Sequence, residues 1–190
     1  MTNSERAAYI RGLMEGLDLD PNAKETKLFN AIVDLLDDLC LSVEEMEEVK
    51  GSHGIAVRMD GKLSETDFAG LDMLVLPGGK KGTEGLESCE KLMEQLDAFY
   101  EAGKPVAAIC AAPSIFGHRG YLKGRRATSY PSFEGHLEGA KVTHTPAVTD
   151  GNVITGRGMG CSIPFALAVV EYLSGKGEAD RVADTIVYPG

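Results

Sequence analysis

Tryptophan is absent from this chain, and its 190 residues include only six phenylalanines, six tyrosines and four cysteines. The cysteines (Cys40, Cys89, Cys110 and Cys161) are scattered, with no CxxC pair and no disulfide-rich spacing. That excludes a disulfide-stapled secreted scaffold and makes a reducing cytoplasm the expected compartment. Basic charge is scarce too: 19 lysines and arginines face 29 aspartates and glutamates, a formal net charge of -10. Nucleic acid and anionic membrane surfaces are thereby excluded as main partners, because both are held by clustered cations. No apolar run is long enough to span a bilayer, and the polar start Met1-Thr2-Asn3-Ser4-Glu5-Arg6 has no signal-peptide character. His53, His118, His136 and His144 lack the spacing of a metal site, so no metal and no cofactor is expected.

What remains is 43% hydrophobic and 25% charged, the composition of one ordinary globular domain or of a small domain with an appendage. Two textures meet near Val49. Residues 1–49 read as an acidic helical hairpin. Ala7, Ile10, Leu13, Met14 and Leu17 line a first helix capped by Asn3 or Ser4, and Asp20-Pro21 opens a second. Phe29, Ile32, Leu36, Leu39, Val43 and Met46 then recur three and four apart, an a/d seam whose acidic neighbours form a solvated face. Cys40 on this helix reads as a packing residue.

Residues 50–190 read as an α/β domain. Asp72-Met73-Leu74-Val75-Leu76-Pro77 is a continuous apolar run, as in a buried parallel strand, and it ends in Gly78-Gly79. Residues 84–102 predict one helix, stopped by Gly103-Lys104-Pro105, with Cys89 packed near its start. Residues 106–109 are the next strand, 112–119 a helix and 127–131 a short strand. Residues 147–155 form a hairpin across Asp150-Gly151, and 163–174 an apolar helix turning Phe165, Val169, Val170 and Leu173 inward. Such alternation implies a mostly parallel sheet with functional groups at the carboxyl ends of its strands.

Three of those strand ends carry chemistry. Val106-Ala107-Ala108-Ile109 leads into Cys110, then Ala111-Ala112-Pro113-Ser114 opens a helix. A thiol there meets unpartnered N–H groups and the positive end of a helix dipole, both of which favour thiolate. The Gly78-Gly79 turn brings bare backbone close to a ligand, and Thr155-Gly156-Arg157-Gly158 follows the hairpin. A nucleophilic thiol beside two N–H donors is equipped to attack a carbonyl and hold the developing oxyanion.

In this order and spacing, Gly51-Ser52-His53-Gly54-Ile55, Leu74 to Gly79, Ala107 to Pro113, Ala127 to Pro131, Gly156-Arg157-Gly158 and Phe165 to Ala168 resemble the ThiJ/PfpI superfamily. This superfamily is class I glutamine amidotransferase-like. The branch is the one containing the Parkinson-disease-associated deglycase and bacterial YajL, and the resemblance covers residues 49–190. It implies a flavodoxin-like three-layer sandwich with a mostly parallel sheet, usually a homodimer. It also implies Cys110 as nucleophile, Gly79 and Ala111 as oxyanion donors, and Gly78, Tyr130 and Arg157 in support. The implied activity is cofactor-free: glyoxalase III or deglycase chemistry on methylglyoxal-like aldehydes or glycated substrates. The alternative is a non-catalytic redox-sensing or chaperone-like stress protein using Cys110 as an oxidisable thiol.

Three departures from the resemblance stand out. Tyr130 stands where some members place a histidine, although His118 is a residue that could approach Cys110. The arginine loop reads Arg157-Gly158-Met159-Gly160-Cys161 in place of the commoner Arg-Gly-Pro-Gly-Thr, with Cys161 as a packed thiol. Upstream, the helical hairpin replaces the family's first strand-helix-strand and the glutamate that pairs with the cysteine. Residues 1–48 resemble instead an N-terminal helical module of uncharacterised clostridial proteins.

Overall fold

A computed structural model describes residues 48–51 and 54–189, so the helical hairpin expected over 1–49 lies, but for its last residues, outside the described residues. Glu48 and Val49, the last residues of the span read as that hairpin, belong to a strand. The chain divides into two compact units, Met1–Asp67 and Phe68–Gly190. In the first, β1 (Glu48–Lys50) pairs antiparallel with β2 (Ala56–Arg58), Val49 opposite Val57.

The second unit is built on a mixed, mostly parallel sheet. Its strands are β3 (Leu74–Leu76), β4 (Val106–Ile109), β7 (Ala147–Asp150) and β8 (Val153–Gly156), in the order β3-β4-β8-β7. β4 runs parallel to both neighbours, while β7 and β8 form the hairpin expected across Asp150-Gly151. A separate parallel pair joins β5 (Arg126–Ala127) to β6 (Lys141–Val142). β4 and β8 are the two well-buried strands: Val106, Ala107 and Ala108 of β4 are fully buried, so neither face of that stretch meets water. β3 is more open than its apolar run suggests. Leu74 and Leu76 are buried, but Val75 between them is 48% exposed.

Helices α1 (Lys80–Ser88) and α2 (Glu90–Glu101) replace the single helix expected over 84–102. Cys89 breaks the run in an extended conformation (φ -81°, ψ 98°), with neither proline nor glycine to announce it. α2 buries Leu92, Met93, Leu96 and Phe99, the inward stripe of a helix laid on a sheet. α3 (Pro113–His118) has all of its residues from Pro113 to Gly117 buried. α4 (Ser162–Ser174) packs on β7 and β8, and α5 (Lys176–Thr185) packs on α4. Phe165 joins Ala107 and Ile154 in the core with Val169 packed against them. Leu173, expected to face inward, is 50% exposed, in the last turn of α4.

One polar cluster ties α2 to the chain beyond α3. Asp97 accepts hydrogen bonds from Arg119 (Nε to Oδ1, 2.6 Å) and from the Tyr121 hydroxyl. Tyr121 also stacks on Tyr100 at 3.9 Å. The hydrogen bond from Arg119 is the main force holding the Asp97 carboxyl below the usual carboxylate range. Burial, with the adjacent Asp97 carboxylate, pushes the Tyr121 phenol up.

A group held below its unfolded pKa contributes stability above that unfolded value, about 4 for aspartate, and loses it as pH falls through the folded value. Asp97→Asn is therefore expected to lower stability at pH 7, with the difference from the parent shrinking below about pH 4. Urea unfolding at the two pH values measures this. Leu96 is fully buried, and Leu96→Ala is expected to cost about 2–5 kcal/mol in the same measurement.

Candidate functional site

Cys110 follows the last residue of β4 and takes φ +67°, one of only two non-glycine residues with positive φ among those described. An L-residue in this left-handed region is strained by about 1–2 kcal/mol, so its neighbours must impose the conformation. Two backbone hydrogen bonds do so. The Cys110 N–H donates to the Gly156 carbonyl at the end of β8 (2.9 Å), and its own carbonyl accepts from the Tyr130 N–H (2.8 Å).

Gly78 makes the close approach to this elbow. A Cβ built on Gly78 would lie 2.5 Å from the Cys110 Cβ, 2.6 Å from the Ile109 carbonyl oxygen and 3.2 Å from the Ala111 nitrogen. Only glycine fits there. Gly79, one residue on, has φ +94° and precedes α1, its carbonyl accepting from the Thr83 N–H. The N–H groups of Gly79 and Ala111 find no acceptor among the described residues. One free donor thus follows the partly exposed Cys110 in the chain, and the other follows the glycine packed against it.

The helix behind the thiol is shorter than the helix-dipole argument requires. α3 has six residues, so its dipole is that of little more than one turn. What it supplies instead is a fully buried backing for the elbow, with the Ser114 hydroxyl donating to the Ala111 carbonyl at 2.8 Å.

The supporting residues divide between two places. Tyr130, its ring half exposed, is tied to Cys110 through the backbone, and its ring lies beside Gly158. Arg157 starts the loop after β8, where its N–H donates to the Pro146 carbonyl. Its guanidinium lies 3.1 Å from Glu134 Oε1 and 3.1 Å from His144 Nδ1. Glu134, in a 3-10 turn (Pro131–His136), and His144 were not singled out in the sequence as partners of this arginine. Only the fold brings them to it. His118 does not reach Cys110. It ends α3, and its ring is held by Glu87 and His136. Cys161 is half-buried at the start of α4 and Cys89 is buried.

A strained cysteine following an inner strand of a mostly parallel sheet, with a glycine turn against it, defines an α/β protein with a cysteine elbow. Residues 33–172 match the DJ-1/PfpI family, and the chain belongs to that family. The match begins upstream of Val49, so part of the segment that sequence resemblance assigned elsewhere falls within the family domain. Protein DJ-1 homolog A of Arabidopsis thaliana is 37% identical over 85% of this chain, which spans 43% of that relative's length. A deglycase of Pyrococcus abyssi is 39% identical over 57% of this chain and 66% of its own. The structure of oxidized Toxoplasma gondii DJ-1 superposes with a TM-score of 0.73 at 30% identity, covering 78% of this chain and 81% of that one. No described helix is long and apolar enough to cross a membrane.

The contact at Gly78 yields a test of the elbow. Gly78→Ala would overpack backbone against backbone, and a loss of about 1–3 kcal/mol is expected. Denaturant unfolding measures that cost. Alkylation of Cys110 by iodoacetamide, followed by mass spectrometry, should slow in the same variant.

Proposed function

We propose that this chain is a cysteine-dependent, cofactor-free stress-response enzyme of glyoxalase III or deglycase type, acting on methylglyoxal-like aldehydes. The observation that carries the reading is the left-handed Cys110 elbow with the unpaired N–H groups of Gly79 and Ala111 beside it. The deglycase relatives support the substrate class.

In this scheme the Cys110 thiolate adds to the aldehyde carbon, and the two N–H groups stabilise the oxyanion until it is protonated to a hemithioacetal. A proton then leaves the former aldehyde carbon and another arrives at the adjacent ketone carbon, through an enediol, giving a lactoyl thioester. Water hydrolyses the thioester to lactate and returns the thiol, so the sum is methylglyoxal plus water to lactic acid. No described side chain is assigned the proton transfers. In this reading Arg157 fixes the pose of the second carbonyl, and the contacts of its guanidinium with Glu134 and His144 support that role. We also read the chain as a cytoplasmic homodimer. Exposed Met159 and Ile163, just past the Arg157 loop, are the surface that favours association.

Lactate formed from methylglyoxal is the direct readout. Wild-type chain is expected to produce it, and Cys110→Ser to fall to the uncatalysed background. Undiminished turnover in that variant would overturn the mechanism. A wild-type chain that makes no lactate, yet is oxidised by peroxide at Cys110 ahead of Cys40, Cys89 and Cys161, would instead establish the redox-sensing reading.

A further inference from the structure

A second cluster of chemistry-bearing side chains gathers at the opposite end of α3 from Cys110. Nδ1 of His118 lies 2.6 Å from Glu87 Oε1 on α1. Its Nε2 lies 3.2 Å from Nδ1 of His136, the last residue of the 3-10 turn. With both rings neutral, an ionised Glu87 accepts from Nδ1 of His118, whose Nε2 then turns its lone pair toward His136. His136 then donates from Nδ1 across the gap.

This spacing is that of a metal-binding edge. Two imidazole nitrogens at about 2.0–2.1 Å from one tetrahedral ion stand about 3.3 Å apart, close to the separation already present. With the His136 proton on Nε2 in place of Nδ1, both facing nitrogens carry lone pairs, and small rotations of the two rings aim them at one ion. Glu87 meanwhile fixes the His118 tautomer and raises its basicity, as carboxylates behind metal-bound histidines do.

The surroundings hold the pair and offer it room. A Cβ on Gly117 would lie 1.9 Å from the His136 carbonyl oxygen, so α3 and the 3-10 turn touch backbone to backbone. The two rings meet edge to face at 5.3 Å, and Phe133 lies against His136 at 5.9 Å. Together with Thr83, Ser114 and Ser132 they line a cavity of about 420 Å³. Thr83 is 3% exposed, and its Oγ1 on that cavity has no hydrogen-bond partner among the described residues. A buried hydroxyl in that state calls for a partner, and water in the cavity supplies one.

We propose that His118 and His136 form a binding site for Zn²⁺, with Glu87 as its positioning residue and water in the remaining positions. Among the described residues no group of three or more histidine, cysteine, aspartate or glutamate ligands converges, so the ion is exchangeable, unlike one in a closed four-ligand site. The site is independent of Cys110 and of the reaction proposed for it.

Calorimetric titration of the full chain with zinc sulfate tests this, in a Cys40→Ser, Cys110→Ser, Cys161→Ser background that removes the competing thiols other than buried Cys89. The parent is expected to bind, and either His118→Gln or His136→Gln to lose that binding step. Glu87→Gln should weaken it about 10–100-fold, while His144→Gln leaves it unchanged. In the unmutated chain, zinc should move the imidazole ¹⁵N resonances of His118 and His136 ahead of those of His144. That readout holds even if a variant misfolds. Binding that survives both histidine variants, or resonances that do not move, would overturn the site.

Discussion

The second unit is organised around a single unfavourable torsion, φ +67° at Cys110. A left-handed cysteine is stable only where its surroundings leave no alternative. β4 provides that setting, because it is hydrogen-bonded on both sides and buried on both faces. The strand cannot shift to relieve its last residue. Gly156 from one neighbour, Gly78 from the other and Tyr130 from a third segment then converge on the residue where the strand ends. Strain, burial and placement of the thiol are thus one arrangement seen from three sides.

This changes the physical account of why the thiol sits where it does. A helix dipole would have been a sufficient reason in the sequence, but α3 is too short to supply much of one. Its value lies in its size and burial. Ala111, Ala112, Ser114 and Gly117 are all small, which lets the helix sit deep against β4 on one side and the 3-10 turn on the other. Larger residues would push it outward and release the elbow. The donors left unpaired are individual N–H groups, those of Gly79 in its turn and of Ala111, the first residue after the elbow.

Much of this was legible in the residues. β3, β4, the β7–β8 hairpin and α4 follow from apolar runs, an Asp-Gly turn and helical spacing, which are local signals. The break at Cys89 was not legible, because no proline or glycine marks it and the apolar spacing continues through it. Leu173 misled for a related reason: periodicity gives the face of a helix but not how much of its length is covered. The two histidine-carboxylate clusters were invisible for a different cause. His118 and Glu87 are 31 positions apart, and His118 and His136 are 18 apart. No pattern within one element pairs them, and only the packing of α1, α3 and the 3-10 turn does.

That 3-10 turn links the separate parts of the unit. Tyr130, at its entrance, holds the carbonyl of the strained cysteine. Within it, Glu134 faces Arg157 and His144, while Phe133 and His136 face the opposite way, toward α3. The division follows from geometry: with three residues per turn, positions three apart eclipse, so 133 and 136 share a side that 134 does not. Six residues therefore present one face to the arginine loop and another to the histidine pair, and the backbone of the turn is pinned against Gly117 between them. Because a 3-10 turn has little slack, displacing either face means moving the segment as a unit. The carbonyl of Cys110, bonded to the Tyr130 N–H at the entrance of the turn, is among the groups such a move would reach.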